Sequence, residues 1–176
     1  DGNLVGHWGG PGAGYEWPAT NHGITVDHKA NVWIGGNDPK DAHIVKFTRQ
    51  GKFLLQVGHP GKNAGSHDMQ NFWRAAKVSV DPTTNEAYVA DGYGNKRVAV
   101  IDADTGAFKR YWGAYGNRPD DTSLGPYGPE APPAQQFRNP VHCAEISNDN
   151  LVYVCDRVNN RIQVFTTAGK FVKEGF

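Results

Sequence analysis

Two of the seven histidines stand where they could hold a metal ion. His22 opens the run HGITVDHKANVWIGG and His142 opens HCAEISNDNLVYVCD, while Ala76 holds the matching place in AKVSVDPTTNEAYVADG. Neutral imidazole nitrogen suits zinc, and zinc centres that do chemistry keep three protein ligands and one open position. Two more reactive side chains fall at a second repeated place: Tyr93 just beyond Asp91 in ADGYGNKRV, and Arg157 directly after Asp156 in CDRVNNRIQVF. In an antiparallel hairpin the start of one strand and the end of its neighbour share an edge. His22, His142, Tyr93 and Arg157 are therefore expected together on one face.

The elements that must carry these residues repeat. Each of the three runs is an alternating stretch, a polar turn and a second alternating stretch, the pattern of a β-hairpin. A third strand follows each time, HIVKFT (43–48), RVAVID (97–102) and RIQVFT (161–166). A glycine-bearing turn then leads to a fourth, KFLLQVG (52–58), AFKRYWG (107–113) and KFVKEGF (170–176). The segments between repeats, GYEWPATNHG, NFWRAAKV and QQFRNPVH, each put an aromatic before the next inner strand. The load of 22 glycines and 11 prolines fits many short strands joined by tight turns.

Repeats of four antiparallel strands predict an all-β chain, a β-propeller with blades at 22–58, 76–113 and 141–176. The segment 1–9, with NLVGHWG at 3–9, carries the fourth-strand pattern alone and is expected to be the outer strand of a preceding blade. Propellers close with about four to eight blades, so three present half of a six-bladed ring or one completed by a second copy, a homo-oligomer. In a six-bladed ring His22 and His142 stand about a third of a turn apart. A third histidine two blades further on would complete a three-ligand set, and this sequence does not contain that blade.

Composition excludes several classes. Lys+Arg and Asp+Glu are 18 each, so no net field draws the chain to nucleic acid or an anionic membrane. No apolar run approaches the roughly 18–20 residues of a membrane span. The sequence opens at Asp1 without methionine or a visible leader, as a chain with a removed leader or a piece of a longer one would.

The repeats resemble the NHL repeat family. Within it, the chain is most similar to the peptidyl-α-hydroxyglycine α-amidating lyase branch and to related bacterial NHL proteins. His22-Gly23-Ile24 with VDHKANVWI and HIVKF looks like that branch's first zinc-binding blade. DGYGNKRV resembles its active-site tyrosine loop, and CDRVNNRIQVF the blade of its second zinc histidine and an active-site arginine. The resemblance implies zinc on His22 and His142, Tyr93 as base, Arg157 as an active-site arginine, and a structural calcium held partly by the Ile24 carbonyl. It further implies a peptide or small-molecule ligand and a secreted or periplasmic setting. The pattern departs at Gly94, where the branch has a cysteine, and at Tyr153 and Val164, where it has a cysteine pair. A first active-site arginine and the third histidine would lie outside the chain. Many NHL proteins share the scaffold without this chemistry, so a non-catalytic propeller that binds a protein, glycan or small ligand stands as the alternative.

The remaining polar residues have structural readings. Asp91 and Asp156 are expected to fix the following turns through Asx bonds. His28, His59 and His67 are expected to be solvated, and Tyr93, between two glycines, to be exposed. Cys143 and Cys155 fall opposite each other across the turn at Asp149. Opposed Cβ atoms lie about 4.5–5.5 Å apart, which leaves both a disulfide and two packed thiols open.

Overall fold

Alternating β-branched and aromatic residues bounded by Asp, Asn and Gly turns give short twisted strands, and the computed structural model, which describes residues 2–176, contains twelve of them. The first sheet is β1 (Asn21–Val26), β2 (Val32–Gly36), β3 (His43–Phe47) and β4 (Phe53–Gly58). The second is β5 (Lys77–Val80), β6 (Glu86–Asp91), β7 (Arg97–Asp102) and β8 (Phe108–Trp112). The third is β9 (Val141–Ile146), β10 (Leu151–Asp156), β11 (Arg161–Thr166) and β12 (Phe171–Gly175). Each sheet is an antiparallel meander in chain order. No α-helix occurs among the described residues, only two three-residue 3₁₀ turns, Ala114–Gly116 and Arg157–Asn159. The expected blades are present, with inner strands starting within one residue of 22, 76 and 142.

A single four-stranded sheet has no core of its own, so each blade buries its faces on its neighbours. Trp33, Ile44, Phe72, Val78, Val89 and Ile101 fill the layer between the first two blades. Tyr88, Val100, Trp112, Phe137, Val152 and Phe165 fill the next. The outward faces of the flanking blades leave apolar side chains in the open: Ile24 is 61% and Val26 62% exposed on one side, Ile162 46% and Val172 47% on the other.

Buried ion pairs tie the top of the second and third blades. Asp91, ending β6, meets Arg97 Nε at 2.8 Å, and Asp156, ending β10, meets Arg161 Nε at 2.9 Å, with all four side chains fully buried. Both carboxylates also accept from the loop entering their own blade, Trp73 N at 2.8 Å and Arg138 N at 3.0 Å. Asn95 Nδ2 and Asn159 Nδ2 each add a bond of 2.7 Å. The expected Asx role is therefore too small, because these aspartates anchor whole loops from inside the protein. The first blade has Gly36 at the corresponding place, and the Asp41 carboxylate occupies the space a Gly36 Cβ would need. Asp41 accepts from Ala19 N at 2.8 Å and Thr20 N at 3.2 Å. His43, at the arginine position, bonds Glu16 O at 2.8 Å.

Residues 3–9 form no strand, because no neighbouring strand of this chain lies beside them to pair with. Trp8 nevertheless acts as a fourth-strand residue would. Its ring lies on the turn at Gly51 and 5.3 Å from Phe47, as Trp112 lies on the turn at Gly169 and 5.8 Å from Phe165. Cys143 and Cys155 pair in register and are joined by a disulfide with Cα atoms 4.9 Å apart, which resolves the open alternative. His59 is exposed as expected, its Nδ1 3.2 Å from Glu16 Oε2.

Arg110 clips the second blade to the third, its Nε donating to Thr167 O at 3.0 Å. Glu86 of the same blade holds it there, accepting from both of its terminal nitrogens and from Lys109 Nζ at 2.9 Å. Hydrogen bonding from Arg110 pulls the Glu86 carboxyl down to about 2 against a burial that opposes it. A depressed folded pKa stabilises above the ordinary value of 4.5 and is lost as pH falls through 4.5 toward about 2. In urea titrations of the intact protein, Glu86→Gln is expected to lower the midpoint at pH 6 and to flatten its fall between pH 4.5 and 2.5. An unchanged acid limb would show that the clip contributes nothing.

Candidate active site at the blade edge

The two histidines are aimed by β-bulges. Between the pairs Asn21↔Gly36 and Ile24↔Ile34, two residues, His22 and Gly23, stand opposite Gly35 alone. Between Val141↔Asp156 and Cys143↔Cys155, His142 is the extra residue. A bulge turns a side chain out of the regular alternation, and both here turn an imidazole toward the same point. The second blade carries Ala76 at this position, whose nitrogen donates to Ala90 O at 2.8 Å while Lys77 is the residue paired with Ala90.

That point is the Tyr93 hydroxyl. His22 Nε2 and His142 Nε2 each lie 3.1 Å from it, and Arg157 Nη1 donates to it at 3.4 Å. The imidazole ring centroids are 5.5 Å apart and nearly perpendicular. His22 Nδ1 bonds the Ala76 carbonyl at 3.1 Å, so that nitrogen carries the proton and Nε2 presents its lone pair. The phenol can then donate to His22 while accepting from Arg157. All four residues expected on one face meet there.

The Tyr93 loop is wedged rather than free. A Cβ on Gly92 would collide with the Val141 backbone, and one on Gly94 with the Trp73 ring. Tyr93 N donates to Arg74 O at 3.2 Å, Gly94 N to Trp73 O at 3.1 Å, and Asn139 Nδ2 to Gly92 O at 2.9 Å. Tyr93 is consequently half-buried, which corrects the expectation that it is exposed.

The site is electropositive. Burial, then Arg157, His22 and Lys77, push His142 below the usual imidazole range, so it is neutral at pH 7. A neutral imidazole is the form that binds a metal. Below the histidines, Lys77 Nζ meets Glu145 Oε1 at 2.6 Å and Ser79 Oγ donates to Glu145 Oε2 at 3.1 Å. Among the described residues no group of three His, Cys, Asp or Glu side chains is gathered as a metal site would need. Two imidazole nitrogens converging beside one phenol oxygen make a partial donor set that fits zinc and lacks a ligand. Ile24 lies on β1 two residues from His22, its side chain 61% exposed, with no carboxylate cluster beside it.

Sequence reasoning did not single out Arg74, Asn139 or the Ala76 carbonyl. The loops of Arg74 and Asn139 stand out for their aromatics alone, and a backbone carbonyl and a bulge leave no mark in residue type.

The NHL repeat family matches residues 142–165. Peptidyl-glycine alpha-amidating monooxygenase B of Xenopus laevis is 33% identical over 87% of the chain. A probable peptidyl-alpha-hydroxyglycine alpha-amidating lyase of Caenorhabditis elegans is 26% identical over 82%. The chain spans 16% of the first relative's length and 36% of the second's. A streptogramin B lyase structure superimposes with a TM-score of 0.50 at 16% identity, covering 88% of this chain and 40% of that one, which bears on the fold alone. The chain thus carries an NHL repeat within a partial β-propeller and is homologous over most of its length to amidating proteins.

Because Gly94 leaves no room for a methyl group against Trp73, Gly94→Ala is expected to displace the Tyr93 loop. The cost should be about 1–3 kcal/mol in chemical unfolding, as for other overpacked sites. The paired variant Trp73→Ala with Gly94→Ala should recover part of it. Equal stability of Gly94→Ala and the parent would contradict the wedge.

Proposed function

We propose that these blades form one wall of the active centre of a metal-assisted lyase, which cleaves peptides ending in α-hydroxyglycine into a peptide amide and glyoxylate. One observation carries the reading: the convergence of His22 Nε2 and His142 Nε2 on the Tyr93 hydroxyl, 3.1 Å from each. The homology to amidating proteins supports it.

His22 and His142 would hold zinc, with further donors from outside these blades. Bound zinc would supply a Lewis acid for the substrate hydroxyl. The chain's own residues do the rest. Ala76 O fixes the His22 tautomer, and Arg157 and the two imidazoles surround the Tyr93 oxygen, which as phenolate would take the hydroxyl proton and then deliver it to the departing amide nitrogen. Arg157, which has no carboxylate partner among the described residues, is free to hold the substrate carboxylate. As the C–N bond opens, the hydroxyl-bearing carbon becomes the aldehyde of glyoxylate. The amide nitrogen takes a proton. The Ile24 carbonyl would contribute to a structural calcium. The ring is completed either by further blades or by a second copy covering the apolar faces at Ile24 and Ile162. The Cys143–Cys155 disulfide supports work in an oxidising, secreted or periplasmic setting.

The test is release of glyoxylate from a peptidyl-α-hydroxyglycine by the full-length protein with zinc supplied. Tyr93→Phe is expected to lower the rate about 10²–10⁴-fold, the usual worth of a proton-transfer group, without unfolding the protein. If the parent leaves the peptide intact, the lyase reading fails and a non-catalytic binding propeller takes its place.

A further inference from the structure

Arg74 holds a backbone conformation that no turn explains. Ala30, Asn85 and Asn150 have positive φ in the hairpins between first and second strands, and Tyr115 and Asn160 have it at the 3₁₀ turns. Arg74, at φ 60, lies instead in the loop entering the second blade. A bulky side chain is disfavoured there and persists only where its surroundings impose it. Here they do: Arg74 N donates to Asp41 O at 2.7 Å, and Arg74 O accepts from Tyr93 N at 3.2 Å. Its Nε donates to Asn37 O at 2.6 Å. These bonds carry the guanidinium to 5.8 Å from the Tyr93 ring centroid, while Arg157 approaches the same ring at 5.6 Å.

Five arginines have no carboxylate partner among the described residues, and of these Arg74 and Arg157 lie over the Tyr93 ring. Arg97, Arg110 and Arg161 are each paired with a carboxylate. Among the described residues Arg74 and Arg157 have no carboxylate within ion-pair distance, and the terminal nitrogens of Arg74 have no acceptor at all. Both flank the Tyr93 ring. A half-buried and an exposed guanidinium, both unmatched, on one aromatic ring fit an anion that arrives with the ligand. We propose that Arg74 is a specificity-determining residue that, together with Arg157, holds the carboxylate of a ligand seated on Tyr93. The inference rests on the reading that Tyr93 lies in the ligand site.

The test is calorimetric titration of the full-length protein with N-acetyl-phenylalanyl-glycine and with its methyl ester. The parent should bind the acid about tenfold or more tightly than the ester. Arg74→Gln, which keeps a donor for Asn37 O and removes the charge, should cost the acid about tenfold and leave the ester unchanged. Arg74→Lys should restore part of the preference. Equal weakening of acid and ester in Arg74→Gln would make Arg74 a mere prop for Tyr93 and overturn the proposal. No preference in the parent, no binding of either probe, or no change in the variant would overturn it too. If peptidyl-α-hydroxyglycine is not cleaved but the acid preference exists and vanishes in Arg74→Gln, the lyase reading falls and the anion site stands.

Discussion

A carboxylate buried at the end of each blade's second strand is the constraint from which the rest follows. Asp91 and Asp156 are fully enclosed, and an enclosed carboxylate must be paired and hydrogen-bonded or it is severely destabilising. Each satisfies this by drawing in the arginine that opens the third strand, an asparagine of the intervening turn and the backbone of the incoming loop. The turn after the aspartate is thereby fixed, and that turn carries Tyr93 in one blade and Arg157 in the other. The first blade reaches the same end by another route. With glycine in the strand, Asp41 from the following loop places its carboxylate in the vacated space and accepts the same kind of loop amides. The demand for an acceptor at this place is met even where the sequence position is not kept.

Much of this could be read from the sequence because the repeat unit is written three times in strand-length alternation. The blades, their inner-strand starts and the opposition of Cys143 and Cys155 follow from counting residues across hairpins. So does the meeting of His22, His142, Tyr93 and Arg157, since residues at corresponding strand ends share an edge. The rest depends on features with no residue signature. Both histidines reach Tyr93 through bulges, and the His22 tautomer is set by a main-chain carbonyl. Arg74 looked like one more loop residue, because its position over Tyr93 comes from backbone bonds to Asp41 and Tyr93. Trp8 shows the converse. Its strand-like sequence makes no strand without a partner, yet its ring packs where a fourth-strand residue belongs.

The charge balance of the whole chain conceals the character of the site. Equal numbers of acidic and basic residues give no net field, but the acids are spent on loop anchors and blade-to-blade clips. Around Tyr93 this leaves two guanidiniums and a lysine's influence beside imidazoles, one of them held neutral. Such a setting favours neutral nitrogen donors and an anionic ligand together. The disulfide next to His142 stiffens the strand pair that carries it, which keeps the bulge and the imidazole in place.

The fold brings His22 and His142 to a common point, and the proposal built on that point is that both are donors to one metal ion. X-ray absorption at the zinc edge of the zinc-loaded full-length protein tests it most directly. The account predicts a first shell of nitrogen and oxygen at about 2.0–2.1 Å with imidazole outer-shell scattering, diminished in His22→Ala and again in His142→Ala. A spectrum unchanged by both substitutions, or a shell without imidazole, would contradict it.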